Sequence, residues 1–228
     1  MSHTRTTMLA AGAVLAVLAP SAAVAQSGPA PAAGPGVPAG RIELTVRSVH
    51  VTGSHAVARY ERTKQYLTAD RSHTITMTVP QHRLRFESVT SPQRELRFDA
   101  ATHRVTVHKG SATPPYQTVA QEAAAFARQV AQGCWKPAGN LVFEGRGSTR
   151  YTLVAASSGP CRGDADTGAA IIDRRTGAVL RREVGAADGS FREVDVLSFF
   201  ETLPLTARTR GFLTFGTHRG VRAGAAGR

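Results

Sequence analysis

The chain has 228 residues, 42% of them hydrophobic and 19% charged, with 28 Lys and Arg against 16 Asp and Glu and a formal net charge of +12. That length suits one domain with a substantial core. Two isolated cysteines exclude a Cys-rich scaffold and argue against a metal site.

The chain opens with Arg5, an apolar run from Met8 to Leu18, Pro20 and the small-x-small ending Ala23-Val24-Ala25. The run is about half the ~20 apolar residues of a membrane span, so residues 1–25 read as a cleaved secretory signal peptide. Cleavage leaves Gln26 first, with no nearby Cys to carry a lipid, and 27 basic against 16 acidic residues, a net charge of +11. The mature protein is expected to be soluble, monomeric, and periplasmic or secreted. Nearly all its basic residues are Arg, which grips carboxylate and phosphate in a planar fork. Arg-rich coding bias accounts for that equally well. If the excess is functional, export favours an anionic membrane or cell-wall surface over nucleic acid as partner.

Residues 26–40 hold four Pro, four Gly and no charge, and are expected to form a disordered or extended linker. Residues 41–216 form the predicted domain, in which the hydrophobic period is almost always two. Ile42, Leu44 and Val46 alternate with polar residues, as do Ile75, Met77 and Val79, then Leu84 and Phe86, Leu96 and Phe98, Val105 and Val107. Leu141 and Phe143, Tyr151 to Ala155, Ala169 to Ile172, Val179 to Val184 and Phe191 to Leu197 complete about ten strands. Turn signals stand at Pro80, Pro92, Lys109-Gly110, Pro137-Ala138-Gly139-Asn140 and Asp188-Gly189. Two sites share one punctuation: Asp173-x-x-Thr176-Gly177 and Asp99-x-x-Thr102 each predict a hairpin reversed by an Asp that bonds the backbone two residues on.

One segment breaks the period. From Val119 to Gln132 the residues Val119, Ala123, Phe126 and Val130 share a helical face, Thr118 with Gln121 makes a capping box, and Gly133 ends the run. Cys134 follows it and pairs, in an exported chain, with Cys161. Residues 217–228, basic and Gly-rich, are expected to dangle as a disordered tail.

No catalytic pattern interrupts these elements. The histidines after the signal peptide (50, 55, 73, 82, 103, 108 and 218) form no His-x-His or His-x-x-x-His pair. No Ser sits in a Gly-x-Ser-x-Gly elbow, and Gly145-Arg146-Gly147 reads as a bend that opens no helix. No cofactor, no metal and no enzymatic activity are expected. The apolar inventory suggests a binding face instead. Met77, Val79, Leu84, Phe86, Leu96, Phe98, Val105, Val107, Phe126, Val130, Trp135, Phe143 and Tyr151 are expected to share one sheet face and the helix laid on it. They form either a filled core or a pocket for an acyl chain. Arg83, Arg85, Arg97, Arg104, Arg181 and Arg182 would rim it and suit an anionic head group.

The order of the pieces His82-Arg83-Leu84-Arg85-Phe86-Glu87-Ser88, central helix, Tyr151-Thr152-Leu153, Ile171-Ile172-Asp173-x-x-Thr176-Gly177-x-Val179-Leu180-Arg181, Asp188-Gly189-Ser190 and a Phe-rich closing strand resembles the LolA/LolB-like superfamily. That superfamily includes periplasmic lipoprotein carriers, the sensor domain of RseB-type regulators and mycobacterial lipid-binding lipoproteins. The resemblance spans roughly residues 41–215. It implies a mostly β fold, a curved antiparallel sheet forming a half-barrel with one central helix packed in its concave face, and a lipid or lipoprotein acyl chain as ligand. An envelope-stress sensor or protein-interaction module is the alternative it implies. Carriers bear several helices where one is legible here, the lipid-binding lipoproteins bear a lipidated Cys, and RseB-type regulators a second domain.

Overall fold

The computed structural model describes residues 36–54, 56–110, 116–154, 161, 165–216 and 222–223. The expected signal peptide, most of the linker and nearly all of the tail lie outside the described residues, as do His55 and His218. The strands are β1 (Arg41–Thr52), β2 (Arg59–Leu67), β3 (Ser72–Thr78), β4 (Leu84–Thr90), β5 (Arg94–Asp99), β6 (Arg104–Lys109), β7 (Trp135–Phe143), β8 (Arg146–Leu153), β9 (Thr167–Asp173), β10 (Val179–Gly185), β11 (Arg192–Pro204) and β12 (Arg222–Ala223). Helix α1 (Val119–Ala131) lies between β6 and β7; a short α2 (Ala207–Arg210) and a 3-10 turn (Gly211–Leu213) follow β11.

All strands join one sheet in the order β12-β6-β5-β4-β3-β2-β1-β11-β10-β9-β8-β7. Eleven are antiparallel neighbours, and the two-residue β12 adds in parallel to β6. The sheet does not close into a barrel. It is a half-barrel of two meander arms, β1–β6 and β7–β11, joined where the first strand pairs with the last long one, Arg41 opposite Pro204 and Thr52 opposite Arg192.

The Asp-turns form as their sequences predict. Asp173 Oδ1 accepts the amides of Arg175 (2.7 Å) and Thr176 (3.3 Å), while Gly177 takes a φ of 73°. Asp99 Oδ1 accepts those of Ala101 (2.9 Å) and Thr102 (3.1 Å), and here His103 takes the left-handed position at φ 51°. Helix α1 starts at its capping box: Thr118 Oγ1 accepts from Gln121 N at 3.0 Å, and Gln121 Oε1 from Thr118 N at 2.9 Å. Cys134 and Cys161 are bridged.

Two expectations are corrected. Strand β2 has no counterpart in the predicted elements, because Arg59, Glu61, Thr63 and Gln65 on one face and Arg62 and Lys64 on the other leave no apolar alternation to read. The predicted turn at residues 137–140 lies inside β7, where a register shift between Pro137 and Gly139 absorbs both breakers on an edge strand. Within the expected linker, Val37 is buried.

Candidate ligand-binding site

Helix α1 crosses one face of the sheet, here the helix face. Its apolar stripe packs on the second arm in two clusters. Phe126, 7% exposed, lies with its ring centroid 5.3 Å from Trp135 and, edge-on, 5.3 Å from Tyr151. Cys134, Ala170, Ile172 and Val179 complete that cluster, with Val130, Leu153 and Cys161 against it. Toward the helix N-terminus Val119 packs with Ala178, Leu180 and Leu197, flanked by Phe143 and Phe200.

Where α1 meets the central strands the packing turns ionic. Arg47 on β1 pairs with Glu122 on the helix and with Asp195 on β11 (3.0 Å). Glu43 Oε1 accepts the amide of Val119 at 3.0 Å, satisfying a first-turn donor. Burial raises the Glu43 carboxyl above its ordinary value against the pull of that amide and of Arg47. Burial likewise raises Glu122, outweighing Arg47.

Beyond this junction the helix face of the first arm is hydroxyl-lined. Thr45 bonds Gln65, Thr63 bonds Thr76 at 3.1 Å, and the register places Ser72, Thr74, Ser88 and Thr90 beside them. The hydroxyls of Ser72, Thr74 and Thr90 are buried without a hydrogen-bond partner. Leu67 on β2 and Phe86 on β4 stay on this face, while the other apolar side chains of β3–β6 point the other way. There the segment after β11 straps the sheet: the Phe212 ring lies 5.2 Å from Tyr66, and Gly216 N donates to Glu87 Oε1 at 2.7 Å. His73 Nδ1 meets the Phe212 carbonyl and Nε2 meets Glu87 Oε1 at 2.8 Å. Because a carbonyl only accepts, Nδ1 is the donor in the first of these contacts.

The expected cavity set is therefore split. Phe126, Val130, Trp135, Phe143 and Tyr151 do gather around α1. By register Met77, Leu84, Leu96, Phe98, Val105 and Val107 lie on the opposite face, and Val79 follows the end of β3. Phe86 alone of the first-arm set is on the helix face, under Arg97, whose Cζ is 4.5 Å from the ring centroid. A period of two identifies two faces within a strand but not which one a distant helix will choose.

The arginines are likewise dispersed. Arg83 is exposed in a loop and Arg104 is exposed at the start of β6, while Arg85 pairs with Glu61. Arg181 faces away from the helix, bonded to Glu183 at 3.0 Å, where the two residues line a cavity of about 200 Å³ with Arg150, Ala169 and Ile171. Arg182 acts on Glu122 beneath α1. The arginines that do converge are Arg146, Arg174 and Arg175, at a cleft of about 630 Å³ with Gly145, Gly147 and Asp173. Sequence reasoning missed them because two hairpin ends far apart in the chain are adjacent only once β8 pairs with β9, Ser148 opposite Asp173. Among the described residues no group of three or more His, Cys, Asp and Glu could hold a metal ion, and no helix is long and apolar enough to cross a membrane.

No known family model and no curated protein sequence matches the chain. Solved structures similar to it include the MucA/MucB complex of Pseudomonas aeruginosa, at 13% identity and TM-score 0.42 over 77% of this chain and 56% of that one. The lipoprotein LppX of Mycobacterium tuberculosis is similar at 14% identity and TM-score 0.39 over 68% and 84%. The LolA superfamily protein NE2245 of Nitrosomonas europaea is similar at 7% identity and TM-score 0.30 over 74% and 88%. These similarities are of fold.

Proposed function

We propose that this is an exported, non-catalytic binding protein that holds an amphiphile, the acyl chain of a lipid or lipoprotein, on the helix face of its half-barrel. The observation that carries this is one continuous sheet face that changes character beside a single helix. It is apolar under α1 on the second arm and hydroxyl-lined on the first, where three buried hydroxyls lack partners. An amphiphile presents the matching sequence of surfaces, since Thr offers both a methyl and a hydrogen-bonding group. The disulfide supports an oxidising compartment, periplasmic or extracellular. Mass spectrometry of organic extracts of the purified protein, with displacement of a fluorescent fatty acid, tests the proposal; lipid in the extract and displaceable probe are expected. Neither lipid nor probe binding would leave the interaction module in its place. That second reading rests on the edge strand β7, whose outer side has no neighbour in the sheet and whose Val142 is 75% exposed, as a strand-adding partner needs.

A further inference from the structure

Three arginines line one cleft at the hairpin end of the second arm. The β7–β8 turn, with Glu144 and Gly145 both at positive φ (47° and 75°), is short enough to bring Arg146 to the start of β8. The β9–β10 Asp-turn brings Arg174 and Arg175 alongside, and Arg174 N donates to Gly147 O at 3.0 Å. Arg174 also lies flat on the backbone of position 147: a Cβ there would stand 2.8 Å from its Nη2, so glycine makes room for the guanidinium.

The one carboxylate lining the cleft is already engaged. Asp173, 2% exposed, accepts Arg146 Nη1 at 3.0 Å as well as the two turn amides. Arg174 and Arg175 form no ion pair among the described residues. Glu144 sits on the adjoining turn but does not line the cleft. Three positive groups against one negative leave an excess of two. The cleft also borders apolar material, because Arg146 Cζ stands 5.0 Å from the ring centroid of Phe200, which packs against the Val119–Leu180–Leu197 cluster under the first turns of α1.

We infer that the Arg146–Arg174–Arg175 cleft is a binding site for a phosphate-bearing group. Planar guanidinium forks bind phosphate oxygens in pairs, and the room here is ample for one. This deepens the amphiphile proposal by assigning the head group: the phosphate sits in the cleft and the chain runs toward Phe200 and α1. A soluble phosphate compound would use the same chemistry.

The test compares dioctanoyl phosphatidic acid with dioctanoylglycerol, which has the same chains and no phosphate, as displacers of a fluorescent fatty acid, on the full chain and on the double variant Arg174→Gln, Arg175→Gln. Both side chains can be changed without touching the turn, which is held by backbone amides. The parent is expected to prefer the phosphate-bearing lipid about tenfold, and the variant to lose that preference while still binding dioctanoylglycerol. Gly147→Ala, which displaces Arg174, should weaken the preference about threefold by the same geometry. Equal binding of both lipids by the parent overturns the head-group site and leaves the amphiphile proposal standing. If neither lipid binds, the amphiphile proposal fails and the cleft is judged alone, by inorganic phosphate shifting the Arg174 and Arg175 Nε–Hε resonances. Saturable shifts then identify a soluble-anion site, and no shifts overturn the inference.

Discussion

The two arms of the sheet use the same hairpin chemistry and put most of their apolar residues on opposite sides. In the second arm Ala170, Ile172, Tyr151 and Trp135 face α1, so helix and disulfide form one packed layer with them. In the first arm the corresponding face is Ser and Thr, while Phe98 and its neighbours turn outward; the chain after β11 reaches across that outer side, to Tyr66 and His73. The difference assigns separate tasks. One arm anchors the helix, and the other lines most of its helix face with hydroxyls, with Leu67 and Phe86 the large apolar side chains of β2 and β4 there.

The contrast can be broken by mutation, most sharply in the anchoring arm. Phe126→Ala should destabilise the protein by about 3–5 kcal/mol in denaturant unfolding, as expected for a filled cluster. A loss well under that range would mean the space under α1 is open and that acyl chains enter there. Replacing Cys134 and Cys161 together by Ser should cost about 3–4 kcal/mol, for a bridge spanning a sequence separation of 27. Hydrogen exchange should then quicken first in α1 and β7, with β3 and β4 little affected.

Acid sharpens the comparison with opposite signs. Asp173 is buried, which alone would raise it, but the Arg146 bond and two turn amides hold its folded-state pKa below the usual value. Its contribution is therefore present above the unfolded pKa and lost as pH falls through the folded one. Asp173→Asn should lose about 1–3 kcal/mol at neutral pH, with the deficit closing on acidification. Glu43 and Glu122, raised by burial, behave in the reverse sense: folding gains as pH drops through their folded pKa values. The smallest effect belongs to the hydroxyl-lined arm. Thr74→Val removes a buried hydroxyl that has no partner, so thermal melts should change by under about 1 kcal/mol or show slight stabilisation. If the hydroxyl floor receives the polar part of a ligand, that variant binds it more weakly all the same.

Local elements were legible wherever local chemistry decides them. The capping box at Thr118 and Gln121, the Asp173 and Asp99 turns and the alternation in β1, β3, β5 and β6 all arise from residues close together in the chain. The bridge of Cys134 to Cys161 followed from there being no other cysteine. What stayed hidden depends on pairing across distance. Strand β2 is polar on both faces and exists because β1 and β3 flank it. Phe98 and Phe126 were equally apolar on paper; only the helix's choice of face separates them. The Arg146–Arg174–Arg175 cleft needs the β8–β9 register before it exists at all.

The seam between β1 and β11 has a kinetic consequence. Apart from the two-residue β12 on β6, every other pairing joins strands consecutive in the chain, so each arm can assemble from its own segment. The seam joins Arg41 to Pro204 and must wait until nearly the whole chain is available. Closing so long a loop carries an entropic cost that no local contact offsets, and folding rates fall as contacts become more distant in sequence. Refolding should thus show hairpin formation in the arms first and a slower step in which β1 and β11 zip together. Substitutions at Val46 or Leu197, buried beside that seam, should slow the second step and leave the first alone.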